Sequence, residues 1–167
     1  MPVGRLQHWG QPIAATIVVL VATLPFLSKP FHIDDPSDLE YVRQVLRDPI
    51  NPYGFEMDWD QGPRPAYENY HPPLKYYYQA LVLAFVPLSE VVVHFSYLPF
   101  VILTVWSAFV LARRFDCSPT LLAALFIIGP AYLPGQNAML DVPAVALGLA
   151  ERALQAAESK KIKTNVL

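Results

Sequence analysis

The sequence of 167 residues contains a single cysteine, Cys117. One thiol cannot close an internal disulfide, so a cross-linked scaffold is excluded and the redox compartment is left unmarked. Positive charge is not in excess either. Twelve Lys and Arg stand against fourteen Asp and Glu, for a net charge of −2. That balance provides no clustered basic face to neutralise phosphates, which removes the electrostatic case for a nucleic-acid partner. Charged residues make up only 16% of the chain, hydrophobic ones 54%. A chain of this size so apolar, and so cleanly divided into apolar and polar stretches, is expected to insert into a membrane as an all-α, polytopic helical bundle.

The apolar segments set the expected topology. The first, Ile13 to Leu27, is flanked by Arg5 and Lys29 and interrupted by Pro25. Counted from Gln11 to Ser28 it reaches roughly 27 Å as a helix, close to the thickness of a hydrocarbon core. Its end, Leu24-Pro25-Phe26-Leu27-Ser28, lacks the small-residue pair that a signal peptidase needs, so it reads as an uncleaved first span at 13–28. Further spans are expected at 95–112, 119–134 and 139–157, about four in all, with residues 29–94 as an extracytoplasmic loop carrying surface helices at 36–47 and 74–88. The segment Leu74 to Leu88 is short and has prolines at 72, 73 and 87. Laying it along the outer surface keeps Arg5, Arg113-Arg114 and the lysines at 160, 161 and 163 on the cytoplasmic side, as basic loops prefer. The polar loop and Asp141 then share the outer face.

The stretch from Phe31 to Leu74 concentrates the chemistry, with nine of the fourteen carboxylates. It opens on the adjacent acids Asp34 and Asp35 and closes on His71-Pro72-Pro73-Leu74. Asp35 before Pro36 is a helix start, because proline suits the first turn and an aspartate before it can accept orphan N–H groups. Leu39, Val42, Val45 and Leu46 then recur at helical spacing, Arg43 and Arg47 lie on the opposite face, and Asp48-Pro49 ends the run. Such a short amphipathic helix is expected to lie on the membrane surface. Capping accounts for Asp35 but not for Asp34. A carboxylate just outside a helix, at the mouth of an apolar bundle, is placed to accept a proton or ligate a cation, with a plain solvated acid as the alternative.

Other residues compete for a role. Asp58-Trp59-Asp60 follows the turn signal Asn51-Pro52-Tyr53-Gly54 and has the Asp-X-Asp spacing that presents hard oxygen ligands to a divalent cation, a pattern that also arises readily by chance in an acidic loop. Asp141, in Leu140-Asp141-Val142-Pro143, is costly if it faces lipid and is expected at a polar cavity or the interface. His8, His32 and His94 show no partner pattern and read as interfacial or solvated side chains. Tyr76-Tyr77-Tyr78, with Tyr67 and Tyr70, reads as an interfacial aromatic belt.

A first apolar segment ending in paired acids, an amphipathic helix, a loop of Asp-Asp-Pro, Asn-Pro-Tyr-Gly-Phe and His-Pro-Pro-Leu, and a later Leu-Asp-Val-Pro together resemble the N-terminal part of the GT-C membrane glycosyltransferases. The resemblance, from about Ile13 to Leu149, is to the protein O-mannosyltransferases, the aminoarabinose transferases of lipid A and their bacterial relatives. It implies a multi-pass protein of the bacterial inner or plasma membrane, in contact with membrane lipid, that takes a sugar from a polyprenyl-phosphate donor on the outer face. The acceptor hydroxyl is unspecified. By position the resemblance makes Asp34 the general base, with Asp35 beside it where the family usually has Glu. His71 and Asp141 become substrate-binding residues, and Asp34, Asp35 and Asp141 the candidate ligands of a divalent cation. Lys75 follows Leu74 directly, where the mannosyltransferases place a glycine before lysine. Members of that family run to several hundred residues, so an N-terminal piece of a longer chain is expected. The alternative class is a small non-catalytic membrane protein whose acidic outer loop binds a partner or a cation.

Overall fold

The computed structural model describes residues 4–32, 34–58, 62–68, 71–115 and 141–165, so the span expected at 119–134 lies outside it. The chain is mostly helical, in order α1 (Gly4–Thr23), α2 (Asp35–Arg47), a β-hairpin of β1 (Glu56–Asp58) and β2 (Pro63–Pro65), then α3 (Leu74–Leu83), α4 (Glu90–Ser96), α5 (Leu98–Arg114) and α6 (Asp141–Asn165). The four-span bundle is not supported. Among the described residues one stretch, Glu90–Arg113, is long and apolar enough to cross a membrane.

Local chemistry explains the difference. Pro25 lacks an N–H and its ring clashes with the preceding turn, so α1 gives way to a 3-10 turn at Leu24–Phe26 and the apolar helical run Gly10–Phe26 is too short to count as a span. The expected fourth span continues instead as α6, whose later turns carry Glu151, Arg152 and Glu158.

The chain divides into two compact units. In the first, α5 packs against α1 and α6. Val101, Val105, Ala108 and Ala112 fall on one buried stripe of α5, and Val142, Ala146 and Ala153 on one of α6. Small side chains on both stripes let the helix backbones approach closely. Trp106 Nε1 donates to Thr16 Oγ1 at 3.0 Å and ties α5 to α1.

The second unit, Leu27–Ser96, is built on α2 and α3. Its core is Tyr41, Val42, Val45, Ala66, Tyr76 and Ala80, with Tyr53, Phe55, Met57 and Leu83 packed around them. Tyr41 and Tyr76 stack, ring centroids 4.6 Å apart and 8° from parallel, and Phe55 meets Tyr41 edge-on at 5.0 Å. The apolar face of α2 is therefore covered by the protein itself instead of resting on a membrane surface; Leu46 alone of its four spaced apolar residues stays exposed. The surface helix expected at 74–88 ends sooner, at Leu83, and buries Lys75, Tyr76, Gln79 and Ala80.

A short β-hairpin accompanies the helices. Register pairs Glu56 with Pro65, Met57 with Arg64 and Asp58 with Pro63. Ala66 donates to the Phe55 carbonyl at 2.9 Å, and counting in twos along the ladder puts both prolines at positions whose missing N–H points away from the partner strand. Gly62, at φ +100°, takes the left-handed turn that other residues resist, and Asp58 Oδ1 accepts its N–H at 3.1 Å.

Of the tyrosines expected as an aromatic belt, Tyr77 and Tyr78 act as staples, as do Tyr41 and Tyr53 outside it, whereas Tyr67 is exposed and Tyr70 lies outside the described residues. Tyr41 donates to the Ala66 carbonyl at 2.9 Å, Tyr77 to that of Pro49 at 2.6 Å, Tyr78 to that of Ser96 at 2.7 Å, and Tyr53 to that of His71. Burial, with Asp38 and Tyr53 nearby, pushes the Tyr41 phenol up to about 12. Burial first, then the Asp38 carboxylate, raises Tyr76 as well, and burial raises Tyr78. A phenol whose pKa is raised on folding stabilises the fold fully below its unfolded value of 10.0 and loses that contribution as pH climbs through the folded one. Alkaline titration is thus expected to show a late phase of tyrosinate absorbance at about pH 12, coincident with loss of helical circular dichroism. Late absorbance without unfolding would contradict the buried stack.

Candidate functional site

The paired acids part company in the structure. Asp34 occupies the N-cap position of α2, where its carbonyl accepts the N–H groups of Ser37 at 3.1 Å and Asp38 at 3.2 Å, but its side chain makes no cap bond. Asp35, expected as the cap, is the first helical residue and is fully buried. Its carboxylate turns back to accept the His32 backbone N–H at 2.6 Å, while its own N–H donates to the His32 carbonyl at 3.0 Å. With Pro36 pre-setting the first turn, this pair of hydrogen bonds ties His32 to the start of α2.

That clamp places His32 beside Asp34. His32 Nδ1 lies 3.5 Å from Asp34 Oδ2, the two side chains being 44% and 29% exposed. The histidine read from sequence as unpartnered is therefore paired with the candidate base. His94 also departs from expectation: it is buried, Nδ1 is 2.9 Å from the Leu27 carbonyl, and its ring lies 6.1 Å from that of Phe31. A carbonyl can only accept, so Nδ1 carries the proton there. His94 in this way pins the segment that leads to His32 and Asp34.

His71 is held by its backbone, through the Tyr53 hydroxyl, and its ring is half-buried. Among the described residues no hydrogen bond or ion pair joins it to Asp34. Asp141 opens α6 in the other unit, and its side chain lies outside the described residues. Asp58 is engaged in the hairpin turn, while Asp60 lies outside the described residues.

Lys75, the cation nearest His71 in the sequence, is already committed. Its ammonium pairs with Asp38, and the other oxygen of that carboxylate accepts the Tyr76 hydroxyl at 2.9 Å. Lys75 Nζ also lies 5.1 Å from the centroid of the Tyr76 ring. The triad is a buried structural network, and sequence spacing of 37 residues between Asp38 and Lys75 offered no sign of it.

Of the cation ligands expected at Asp34, Asp35 and Asp141, the side chain of Asp141 lies outside the described residues, and the other two do not form a ligand set by themselves. Asp35 is sealed under its own backbone clamp, Asp34 faces His32, and among the described residues no three His, Cys, Asp or Glu side chains converge as ligands. What remains is a half-exposed carboxylate–imidazole pair at the start of α2, suited to moving a proton. The signal for it in the sequence was the His-X-Asp spacing of His32 and Asp34. Comparison with known proteins identifies no relative: no protein family, characterised protein or solved structure matches the chain.

Proposed function

We propose that the protein acts in membrane-bound glycosyl transfer, moving a sugar from a polyprenyl-phosphate donor to an acceptor hydroxyl, either alone or as part of a longer enzyme. The observation that carries this reading is the state of Asp34: neighbouring acids are used up by the fold, Asp35 on His32, Asp38 on Lys75 and Asp58 on the hairpin turn, whereas Asp34 is left half-exposed beside an imidazole. General-base catalysis needs an accessible acceptor within reach of the proton it takes. In this role the Asp34 site removes the proton of the attacking hydroxyl as its oxygen bonds to the sugar C1, and the bond from C1 to the donor phosphate breaks with its electron pair leaving on the phosphate.

A lipid-linked donor suits a chain with apolar segments of this kind. The Glu90–Arg113 stretch is apolar enough to span, and Ile13, Ile17, Val21 and Leu24 form an exposed stripe at helical spacing along and just past α1. His71 and Asp141 remain proposed donor contacts on the resemblance alone. A non-catalytic acidic docking loop is the weaker reading, because most of the loop's described carboxylates with assigned contacts are satisfied internally.

Membranes carrying the protein are expected to transfer label from polyprenyl-phosphate hexoses to a non-lipid acceptor and to release free polyprenyl phosphate. Label that stays on lipid at the level of membranes without the protein, across a panel of such donors and acceptor alcohols, would sink the glycosyltransferase reading.

A further inference from the structure

We propose that His32 is the group that receives the acceptor proton, with Asp34 orienting its ring and Asp35 a positioning residue that clamps its backbone. The proposal rests on the glycosyl-transfer reading and assigns the proton to a different atom of the same site. Nδ1 of His32 faces the Asp34 carboxylate at 3.5 Å, and a carboxylate so placed favours the tautomer with the proton on Nδ1. Nε2 is then the basic nitrogen, on a ring 44% exposed. An imidazole oriented by a carboxylate presents its second nitrogen to a substrate as a general base. The separation is that of an unliganded dyad, which tightens when substrate binds.

Pre-organisation supports the assignment. The His32 backbone is bonded in both directions to a residue with no exposed surface, at 2.6 and 3.0 Å, and His94 pins the same segment at Leu27. A solvated histidine needs no such fixing; a proton acceptor benefits, because the backbone that carries its ring is already in place at the moment of reaction. The step balances. The proton of the attacking hydroxyl goes to Nε2, its oxygen bonds to C1, polyprenyl phosphate departs with the electron pair of the broken C1–O bond, and the imidazolium beside Asp34 later returns its proton to water.

The clamp uses only the backbone of His32, so His32→Ala leaves it in place. In the transfer assay His32→Ala is expected to lower kcat about 10²- to 10⁴-fold, with added imidazole restoring part of the rate, and the double variant with Asp34→Asn is expected to be little worse than either single change. Rates within about threefold of the unchanged protein for His32→Ala would overturn the proposal while leaving Asp34 as the base. If the unchanged protein transfers no sugar, the functional reading fails and the dyad is judged by the ring nitrogens. With 15N-labelled histidine in micelles, at a pH where the ring is neutral, His32 is expected to carry its proton on Nδ1 and to revert to Nε2 in Asp34→Ala. A His32 that carries it on Nε2 in the unchanged protein would overturn the dyad whatever the assay shows.

Discussion

Asp34→Asn is expected to slow sugar transfer by about 10²- to 10⁴-fold while leaving the fold intact, the cost usually seen when general-base assistance is lost. Asparagine keeps the size of the side chain but neither accepts a proton nor supports an imidazolium. Folding should be nearly indifferent, because the Asp34 side chain makes no cap bond and only its carbonyl serves α2. Asp35→Ala provides the opposite pattern. It removes the acceptor of the part-buried His32 N–H and is expected to cost about 1–3 kcal/mol of stability. Turnover and thermal unfolding measured on both variants check the contrast. Near-normal transfer by Asp34→Asn would return that residue to the status of a solvated acid beside a helix.

Asp38→Ala is expected to be the most destabilising single change in the second unit. Asp38 is the partner of a Lys75 whose side chain is 2% exposed, and it also accepts the Tyr76 hydroxyl at 2.9 Å. Its loss removes the carboxylate that pairs with the Lys75 ammonium and accepts the Tyr76 hydroxyl inside the contact between α2 and α3. Breaking a buried pair from one side typically costs about 3–5 kcal/mol, well above the net worth of the pair, because the remaining charge has lost its water without compensation. The combined Asp38→Leu and Lys75→Met change removes both charges and is expected to recover much of that loss. Urea or thermal unfolding followed by tyrosine fluorescence distinguishes these outcomes. A single variant as stable as the unchanged protein would contradict a structural role for the Asp38–Lys75 pair.

Several features of this protein are properties of short stretches and could be read without the fold. The helix start at Asp35-Pro36, its end at Asp48-Pro49 and the inward face at Leu39, Val42 and Val45 follow from dihedral limits and a repeat of 3.6 residues. Phe95 to Ala112 was visibly apolar for the same kind of reason, and it lies inside the Glu90–Arg113 stretch. Hydropathy summed along the chain misled where a helix had to stop: Pro25 ends the α-helical turns of α1 before the apolar residues run out.

Tertiary structure decided everything that depends on what covers a surface. An amphipathic helix looks the same in sequence whether lipid or protein meets its apolar face, and for α2 the answer, Tyr41 stacked on Tyr76 with Phe55 across it, comes from residues 14 to 35 positions away. The same holds for the acids. Nothing local separates Asp34 from Asp35; the direction of the chain entering α2 buries one carboxylate against the His32 backbone and leaves the other facing the His32 ring. Periodicity and composition register interactions over a few residues, whereas the partner that satisfies a charge or completes a dyad is chosen by how the elements pack.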